Sequence, residues 1–208
     1  NSTDLVISDS LHLESGTLNA GADIYLRGNL FRTGSATFNP NTYSVIIDGD
    51  STQYFTNSST SFSLNFYDLE IDKQNNEGIL TLKEYTPVTI DNELEFVTGN
   101  VAVIDASNYE GNYVEIPNGS ALTRTGEGHI FGELRKYIGS GGQPAITFEV
   151  GDTTYYTPYI IDFDNAGGTA GIVGMKMVPE KHPSAGFYDA PVDPSRIILR
   201  YWRLTKPQ

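Results

Sequence analysis

Pairs of acidic side chains two residues apart are the features of this sequence that could do chemistry. There are three prominent pairs: Asp48 with Asp50, Glu93 with Glu95, and Asp162 with Asp164. In a strand, residues i and i+2 lie on one face, so such a pair can approach the separation of about 5–9 Å that glycoside hydrolysis requires. A β-helix polysaccharide lyase or hydrolase is therefore one alternative interpretation of the chain.

The partners that this catalysis would need are sparse. Before residue 120 the basic residues are Arg27, Arg32, Lys73 and Lys83. His12, His129 and His182 are far apart in the sequence, and no G-x-S-x-G, H-E-x-x-H or P-loop pattern is present. With 26 acidic residues in the chain, acidic pairs also arise by chance. We therefore predict that the protein is not an enzyme and has no catalytic residues.

One acidic pair could instead bind a cation. Asp162 and Asp164 open the run Asp162-Phe163-Asp164-Asn165-Ala166-Gly167, and carboxylates before a Gly turn are typical of the start of a calcium loop. However, Ala166 holds the fifth position, and Val173 stands where a closing acidic residue belongs. Calcium at Asp162 and Asp164 is thus a hypothesis beside an ordinary polar turn, and we expect no other cofactor.

Aromatic residues gather towards the end of the chain: Tyr155, Tyr156, Tyr159, Tyr201 and Trp202. Such rings can stack on sugars. Neighbours in a strand face opposite sides, so Tyr155 and Tyr156 cannot share one platform. A carbohydrate-binding module is therefore a second alternative, beside the simpler interpretation that the rings alternate between core and surface.

The net charge of −13 restricts the class of partner. Phosphate backbones and anionic lipid surfaces are repelled by an acidic protein, so we predict no nucleic-acid partner. No apolar run approaches the roughly 20 residues that span a bilayer, and we predict no membrane insertion. The absence of cysteine excludes disulfides and thiolate metal sites.

Short apolar–x–apolar triplets dominate the range 1–128 and predict its fold. Examples are Leu11-His12-Leu13, Ile24-Tyr25-Leu26, Leu80-Thr81-Leu82 and Val114-Glu115-Ile116. This period of two is the strand period, with the outer residues facing the core. Many triplets follow one another after only a short gap, which is too close for a β-sandwich. They predict a parallel β-solenoid with about three short strands in each turn of the chain.

Glycines between the triplets predict its corners, because Gly tolerates positive φ. The interval from Gly16 to Gly34 is nearly as long as the interval from Gly99 to Gly119. We interpret each interval as one turn of the solenoid, whose stacking buries a core that no single turn could bury.

Longer strands are predicted after residue 128, over 130–138, 145–150, 155–164, 171–178 and 196–205. They favour two domains: a solenoid over 1–128 and a small antiparallel β-sandwich-like unit over 129–208. The second unit would cap the open strand edges of the first.

Several short sequence motifs follow one another along the chain. Each motif alone is weak, but their ordered series is specific. The motifs are L-x-L-x-S-G-x-L at 11–18, F-Y-D-L-E-I-D at 66–72, I-D-N-E-L-E-F-V-T-G-N-V at 90–101, G-E-L-R-K at 132–136 and F-E-V-G-D at 148–152, followed by Tyr201-Trp202. Together they resemble the repeats of large Bacteroidetes surface and secreted proteins. Glu149 departs from that pattern, which usually has Pro there. The resemblance implies an exported multidomain protein of the gliding-associated, type IX secretion kind, with adhesin-like, matrix or filament roles.

The same resemblance draws attention to three tripeptides: Asp9-Ser10-Leu11, Asp50-Ser51-Thr52 and Asp152-Thr153-Thr154. They fit the Asp–Ser/Thr pattern that Bacteroidetes use for O-glycosylation. Glycan attachment is thus predicted at Ser10, Ser51 and Thr153. The alternative is that each Asp bonds its own backbone in an Asx-type turn.

These observations favour a non-catalytic structural or adhesive module of an extracellular, cell-surface bacterial protein or fibre. Its role would be spacing, display or self-assembly. The expected partners are neighbouring modules or identical subunits, and surface glycans are a further expectation. The two alternatives remain a carbohydrate-binding module and, less favoured, a β-helix polysaccharide lyase or hydrolase.

Overall fold

A computed structural model describes residues 3–58, 63–75, 78–104, 111–141, 143–163, 169–180 and 200–206. Every regular element among them is a strand. The first strands stack in parallel and the last ones pair in antiparallel fashion. The prediction of an all-β fold, with a parallel β-solenoid followed by antiparallel strands, is confirmed.

The solenoid has three faces, which the chain visits in order. The first face holds β1 (Leu5–Ile7), β4 (Ile24–Leu26), β7 (Ser44–Ile47), the later halves of β9 (Leu64–Asp72) and β11 (Val88–Thr98), and β14 (Ala121–Glu127). The second face holds β2 (Leu11–Leu13), β5 (Leu30–Arg32), β8 (Gln53–Asn57), β10 (Ile79–Glu84), β12 (Asn100–Val103) and β15 (Ile130–Phe131). The third holds β3 (Thr17–Asn19), β6 (Thr37–Asn39), the early halves of β9 and β11, β13 (Val114–Ile116) and β16 (Leu134–Ile138).

The pairing register of the first face gives the length of each turn. In its ladder, Leu5 stands beside Ile24, and Leu94 stands beside Leu122. One turn therefore runs from Leu5 to Ile24 at the start of the solenoid and from Leu94 to Leu122 at its end, so the turns lengthen along the chain. The apolar positions stay in register because a slip of one residue would turn every core side chain outward.

The core is a stack of apolar side chains from all three faces. Phe55 of the second face and Phe66 of the third are both fully buried, and their rings are stacked with centroids 5.7 Å apart. Phe38, one turn earlier, lies 5.8 Å from Phe66. Alternation along each strand thus delivers one continuous core, as the triplets predict.

Glycines occupy the corners between the faces. Gly16 and Gly34 lie between the second and third faces with φ of 74° and 58°, so their interval is one turn, as predicted. The interpretation of Gly99 and Gly119 is wrong. Gly99 precedes β12, between the first and second faces, whereas Gly119 precedes β14, between the third and first faces. Both have positive φ, and this shared requirement made two different corners look equivalent.

Parallel pairing continues past residue 128, the predicted domain boundary. β13 pairs in parallel with β16, which extends to Ile138. The predicted strand 130–138 is two strands, β15 and β16, because Gly132 turns a corner with φ of 123°. β19 (Gly171–Val178) then pairs antiparallel with β16, and β20 (Tyr201–Thr205) with β19. β17 (Gln143–Phe148) and β18 (Tyr159–Phe163) form a separate antiparallel pair.

Two glycines with ordinary φ test how tightly the turns stack. A Cβ at Gly28 would lie 2.3 Å from the Asp9 carbonyl oxygen of the preceding turn, whereas a Cβ at Gly21 would meet no atom within 4 Å. We expect Gly28→Ala to lower the free energy of unfolding by about 1–3 kcal/mol, the usual effect of overpacking. Gly21→Ala should leave it unchanged or raise it by up to about 1 kcal/mol. Urea unfolding of both variants provides the measurement, and equal effects would contradict close backbone stacking at this corner.

Candidate functional site

The corner between the first and second faces, here called the first corner, carries one of the three acidic pairs and two of the three predicted glycan sites. It contains Gly28, Gly49, Gly78, Gly99 and Gly128, one for each turn from the second to the sixth. An open depression of about 500 Å³ lies along it. Four predicted residues line this depression, namely Ser10, Asp48, Asp50 and Ser51. The fold thus brings together side chains of successive turns that are far apart in the chain.

Asp48 is the best-defined acidic group of the first corner. Its Oδ2 accepts a hydrogen bond from Nε of Arg27, one turn earlier, at 3.1 Å. Its Oδ1 is buried and has no hydrogen-bond partner among the described residues. The Arg27 side chain is about half exposed (47%), so solvent screens this ion pair. The pair joins two turns of the solenoid.

Lys73 lies beneath the same corner and is almost completely buried, with 1% exposure. Its Nζ donates to the Ser51 carbonyl oxygen at 2.7 Å and to Oε1 of Gln53. The Gln53 amide donates in turn to the carbonyl oxygens of Leu26 and Gly28, at 2.9 and 2.6 Å. These contacts run through three successive turns. Burial lowers the pKa of Lys73 to about 8, although the nearby Asp50 and Asp48 oppose the shift.

The polar contacts of the first corner link successive turns of the solenoid. The basic groups closest to the acidic pair, Arg27 and Lys73, are both hydrogen-bonded to protein atoms. Asp50 contributes its carbonyl oxygen to a hydrogen bond from the Asn75 side chain at 2.8 Å. The titratable group of this corner with a lowered pKa is Lys73, which exchanges its proton near pH 8.

The second acidic pair, Glu93 and Glu95, lies on the outer side of the first face. Thr123 donates to Glu93 at 2.8 Å, and Thr125 donates to Glu95 at 2.7 Å, both from the next strand. Glu70 stands beside Glu95 in the ladder. Burial raises the pKa of Glu70, and the Glu95 carboxylate adds to the increase.

The predicted calcium and glycan sites stay predictions. Asp162 is exposed on β18, and Asp164 lies outside the described residues. Within the described parts of the chain, no three His, Asp or Glu side chains are grouped so that they could hold a metal ion. Ser51 and Thr153 are exposed and Ser10 is half-buried.

At two of the three predicted glycan sites, the aspartate side chain bonds the nearby backbone, as in the alternative interpretation. Asp152 Oδ1 accepts from the backbone N–H groups of Thr154 and Tyr155, at 2.8 and 2.7 Å. Asp9 Oδ1 accepts from the N–H of Ser10 at 2.8 Å. These bonds fix the local backbone and leave Thr153 on the surface.

The aromatic residues divide into separate groups. Tyr159 and Trp202 lie with ring centroids 5.7 Å apart, and Trp202 Nε1 donates to the Thr157 carbonyl oxygen at 3.1 Å. Tyr155 lies beside Arg200, whereas the ring of Tyr156 is covered by Arg124 at 3.8 Å. The two adjacent tyrosines thus contact different arginines and share no platform.

Comparison with known proteins yields no relative. No protein-family model, curated protein or solved structure matches this chain significantly. The described residues contain no helix that is long and apolar enough to cross a membrane.

Sequence reasoning missed the polar side chains that join the corners of neighbouring turns. In the first corner, Asn29 Oδ1 accepts from the N–H of Tyr54 at 2.8 Å, and Asn100 Oδ1 accepts from the N–H of His129 at 3.0 Å. Each of these side chains bonds a backbone group one turn later. The available signal was a Gly followed by a polar residue before a strand of the second face, as in Gly28-Asn29, Gly99-Asn100 and Gly128-His129.

The corner between the second and third faces, here called the second corner, uses the same arrangement. The Asn57 N–H donates to Oγ1 of Thr86 at 2.9 Å, and the Thr86 N–H donates to Oδ1 of Asn112 at 2.7 Å. The Asn112 amide then donates to the Ile104 carbonyl oxygen at 3.1 Å. All of these residues are buried except Ile104, which is 43% exposed.

Because of Lys73 at the first corner, the free energy of unfolding should depend on pH. The pKa of Lys73 in the folded state, about 8, is below the ordinary value of 10.5. Between these values the unfolded chain binds more protons, so this group makes the free energy of unfolding rise with pH, by roughly 1 kcal/mol per pH unit. We expect Lys73→Met to lack that increase and to lower the free energy of unfolding at pH 9 by about 2 kcal/mol, because buried acceptors lose their donor.

Urea unfolding at pH 7, 8, 9 and 10 measures this dependence. The matched control is Lys83→Met, because Lys83 is exposed and its ammonium lies 3.4 Å from the centre of the Tyr54 ring. Lys83→Met should keep the pH dependence of the wild-type protein. Parallel pH curves for the wild-type and Lys73→Met proteins would contradict the burial of a charged amine.

Proposed function

We propose that this chain is a non-catalytic structural module of an extracellular bacterial surface protein or fibre, which spaces and displays the parts attached to it. One observation carries the proposal: the polar side chains buried at the corners are hydrogen-bonded from one turn to the next. Lys73 and Gln53 do this at the first corner, and Thr86 and Asn112 do it at the second. The half-buried Asn100 adds a further bond between turns at the first corner. A chain built in this way resists local opening, as a spacer must.

The acidic groups support the same proposal. Asp48 is paired with Arg27, and Glu93 and Glu95 accept hydrogen bonds from threonines of the neighbouring strand. A glycosidase pair needs two carboxyls in different environments, one of them protonated as the general acid. Glu70 has the raised pKa, but burial and its acidic neighbours on the same face explain this shift.

The first turn offers a means of joining to another module. Within the described residues, β1, β2 and β3 each pair with one neighbouring strand only. Leu5 and Val6 of β1 are 47% and 50% exposed. Open strand edges with exposed apolar side chains accept further strands. We therefore propose neighbouring modules or identical subunits as the partners of this edge.

A carbohydrate-binding module is the second candidate function. It is favoured by the Tyr159 and Trp202 rings, which lie 5.7 Å apart and are 40% and 37% exposed. Exposed aromatic rings are the usual platform for the apolar faces of sugars.

The non-catalytic proposal is tested by incubating the protein with pectate, alginate and neutral polysaccharides and measuring new reducing ends and unsaturated products. We expect none above background, for the wild-type protein and for Asp48→Asn alike. The matched control is Asp9→Asn, which changes another aspartate in the same depression. Product release by the wild-type protein that Asp48→Asn abolishes and Asp9→Asn keeps would establish an enzyme instead.

A further inference from the structure

A cavity of about 680 Å³ lies where the last turns of the first corner meet the segment from Thr153 to Tyr156. Its polar lining includes Asn100, Arg124, Glu127, His129, Thr153 and Thr154. This volume is within the range of small-molecule sites, about 300–1,000 Å³. The cavity is separate from the depression around Asp48 and from the exposed Tyr159 and Trp202 pair.

Arg124 is held in a fixed position beside this cavity. Its Nε donates to the Gly128 carbonyl oxygen at 2.6 Å, and its guanidinium lies 3.8 Å from the centre of the Tyr156 ring. These contacts fix the plane of the guanidinium, and the Tyr156 side chain is a hydrogen-bond partner of Arg124 as well. A planar, pre-oriented guanidinium loses little entropy when it binds a further acceptor.

His129 is fixed as well, and its chemistry follows from its partner. The residue is only 6% exposed, and its Nε2 lies 2.7 Å from the Asp152 carbonyl oxygen. A carbonyl can only accept, so Nε2 carries the proton and Nδ1 is an acceptor. Burial lowers the pKa of His129, which keeps the ring neutral at pH 7. The cavity lining therefore includes a neutral imidazole beside a charged guanidinium.

The remaining lining residues add hydrogen-bonding groups and make the net charge of the lining zero. Glu127 is exposed and adds a carboxylate acceptor, while Thr153 and Thr154 add hydroxyls that both donate and accept. The charges of Arg124 and Glu127 cancel, so the lining favours neither an anion nor a cation. The net charge of −13 also opposes a polyanionic ligand.

We propose that this cavity binds a neutral saccharide, with Arg124 and Glu127 contacting its hydroxyl groups and His129 and the two threonines completing the polar shell. A hydroxyl-rich neutral ring is the ligand that presents alternating donors and acceptors without charge. The inference goes beyond a structural role, because it assigns the module a ligand of its own. It also locates sugar binding at a cavity and not at the exposed aromatic pair.

Ligand-observed NMR titration of the full chain with maltose, cellobiose and lactose tests this assignment. We expect at least one of these probes to bind with a Kd of about 1 mM or below, and Arg124→Gln to weaken binding at least roughly tenfold. Glucuronate should bind more weakly than the neutral probes. Thr154→Val is expected to weaken binding several-fold and keeps the test informative if Arg124→Gln unfolds, because Thr154 is exposed.

The matched control is Arg135→Gln. Arg135 also lies over a tyrosine, Tyr113 at 3.6 Å, but it is on the third face, away from the cavity. It should leave the affinity unchanged. The proposal is overturned by any of three results: no probe binds up to about 10 mM, glucuronate binds most tightly, or affinity is lost in Trp202→Ala but kept in the Arg124 and Thr154 variants.

Discussion

Every corner of a β-solenoid interrupts the ladder of backbone hydrogen bonds, and the N–H and C=O groups released there still need partners. A buried backbone group without a partner costs about as much as a lost hydrogen bond, and the stacking of turns multiplies that cost. In this protein, buried and half-buried polar side chains supply the partners. Asn29 and Asn100 bond backbone N–H groups of the next turn at the first corner, and Thr86 and Asn112 bond those of the preceding turn at the second.

This constraint explains why the corners carry charged and polar groups. Lys73 is buried because it donates to the Ser51 carbonyl oxygen and to Gln53, which themselves belong to the preceding turn. Arg32, 5% exposed, donates to the Ala36 carbonyl oxygen at 2.6 Å. An isolated buried cation is expensive, and such residues persist where hydrogen bonds compensate them. The structural role that we propose and the placement of these residues have the same physical cause.

The sequence predicts the strands well because their signal is local: the triplet Ile24-Tyr25-Leu26 alternates between core and surface, and it is a strand. The corners are predicted less well. A glycine with positive φ indicates a corner but not which two faces that corner joins, as Gly99 and Gly119 demonstrate. The candidate site is harder still, because the burial of Lys73 and His129 depends on side chains of other turns. Which residues of different turns lie side by side depends on the length of every turn. Contacts between residues that are far apart in the sequence can therefore be predicted only when those lengths are known.

We expect side chains at the corners to hold the turns together as firmly as the strands do. Native-state hydrogen exchange measures this directly at the N–H groups of Tyr54, Asn57, Thr86 and His129, which donate to side chains of neighbouring turns. We predict that they exchange within about tenfold of Leu69 and Leu94, which lie in the buried ladder of the first face. Exchange at the rate of exposed amides at these four corner positions, with the ladder still protected, would contradict the account.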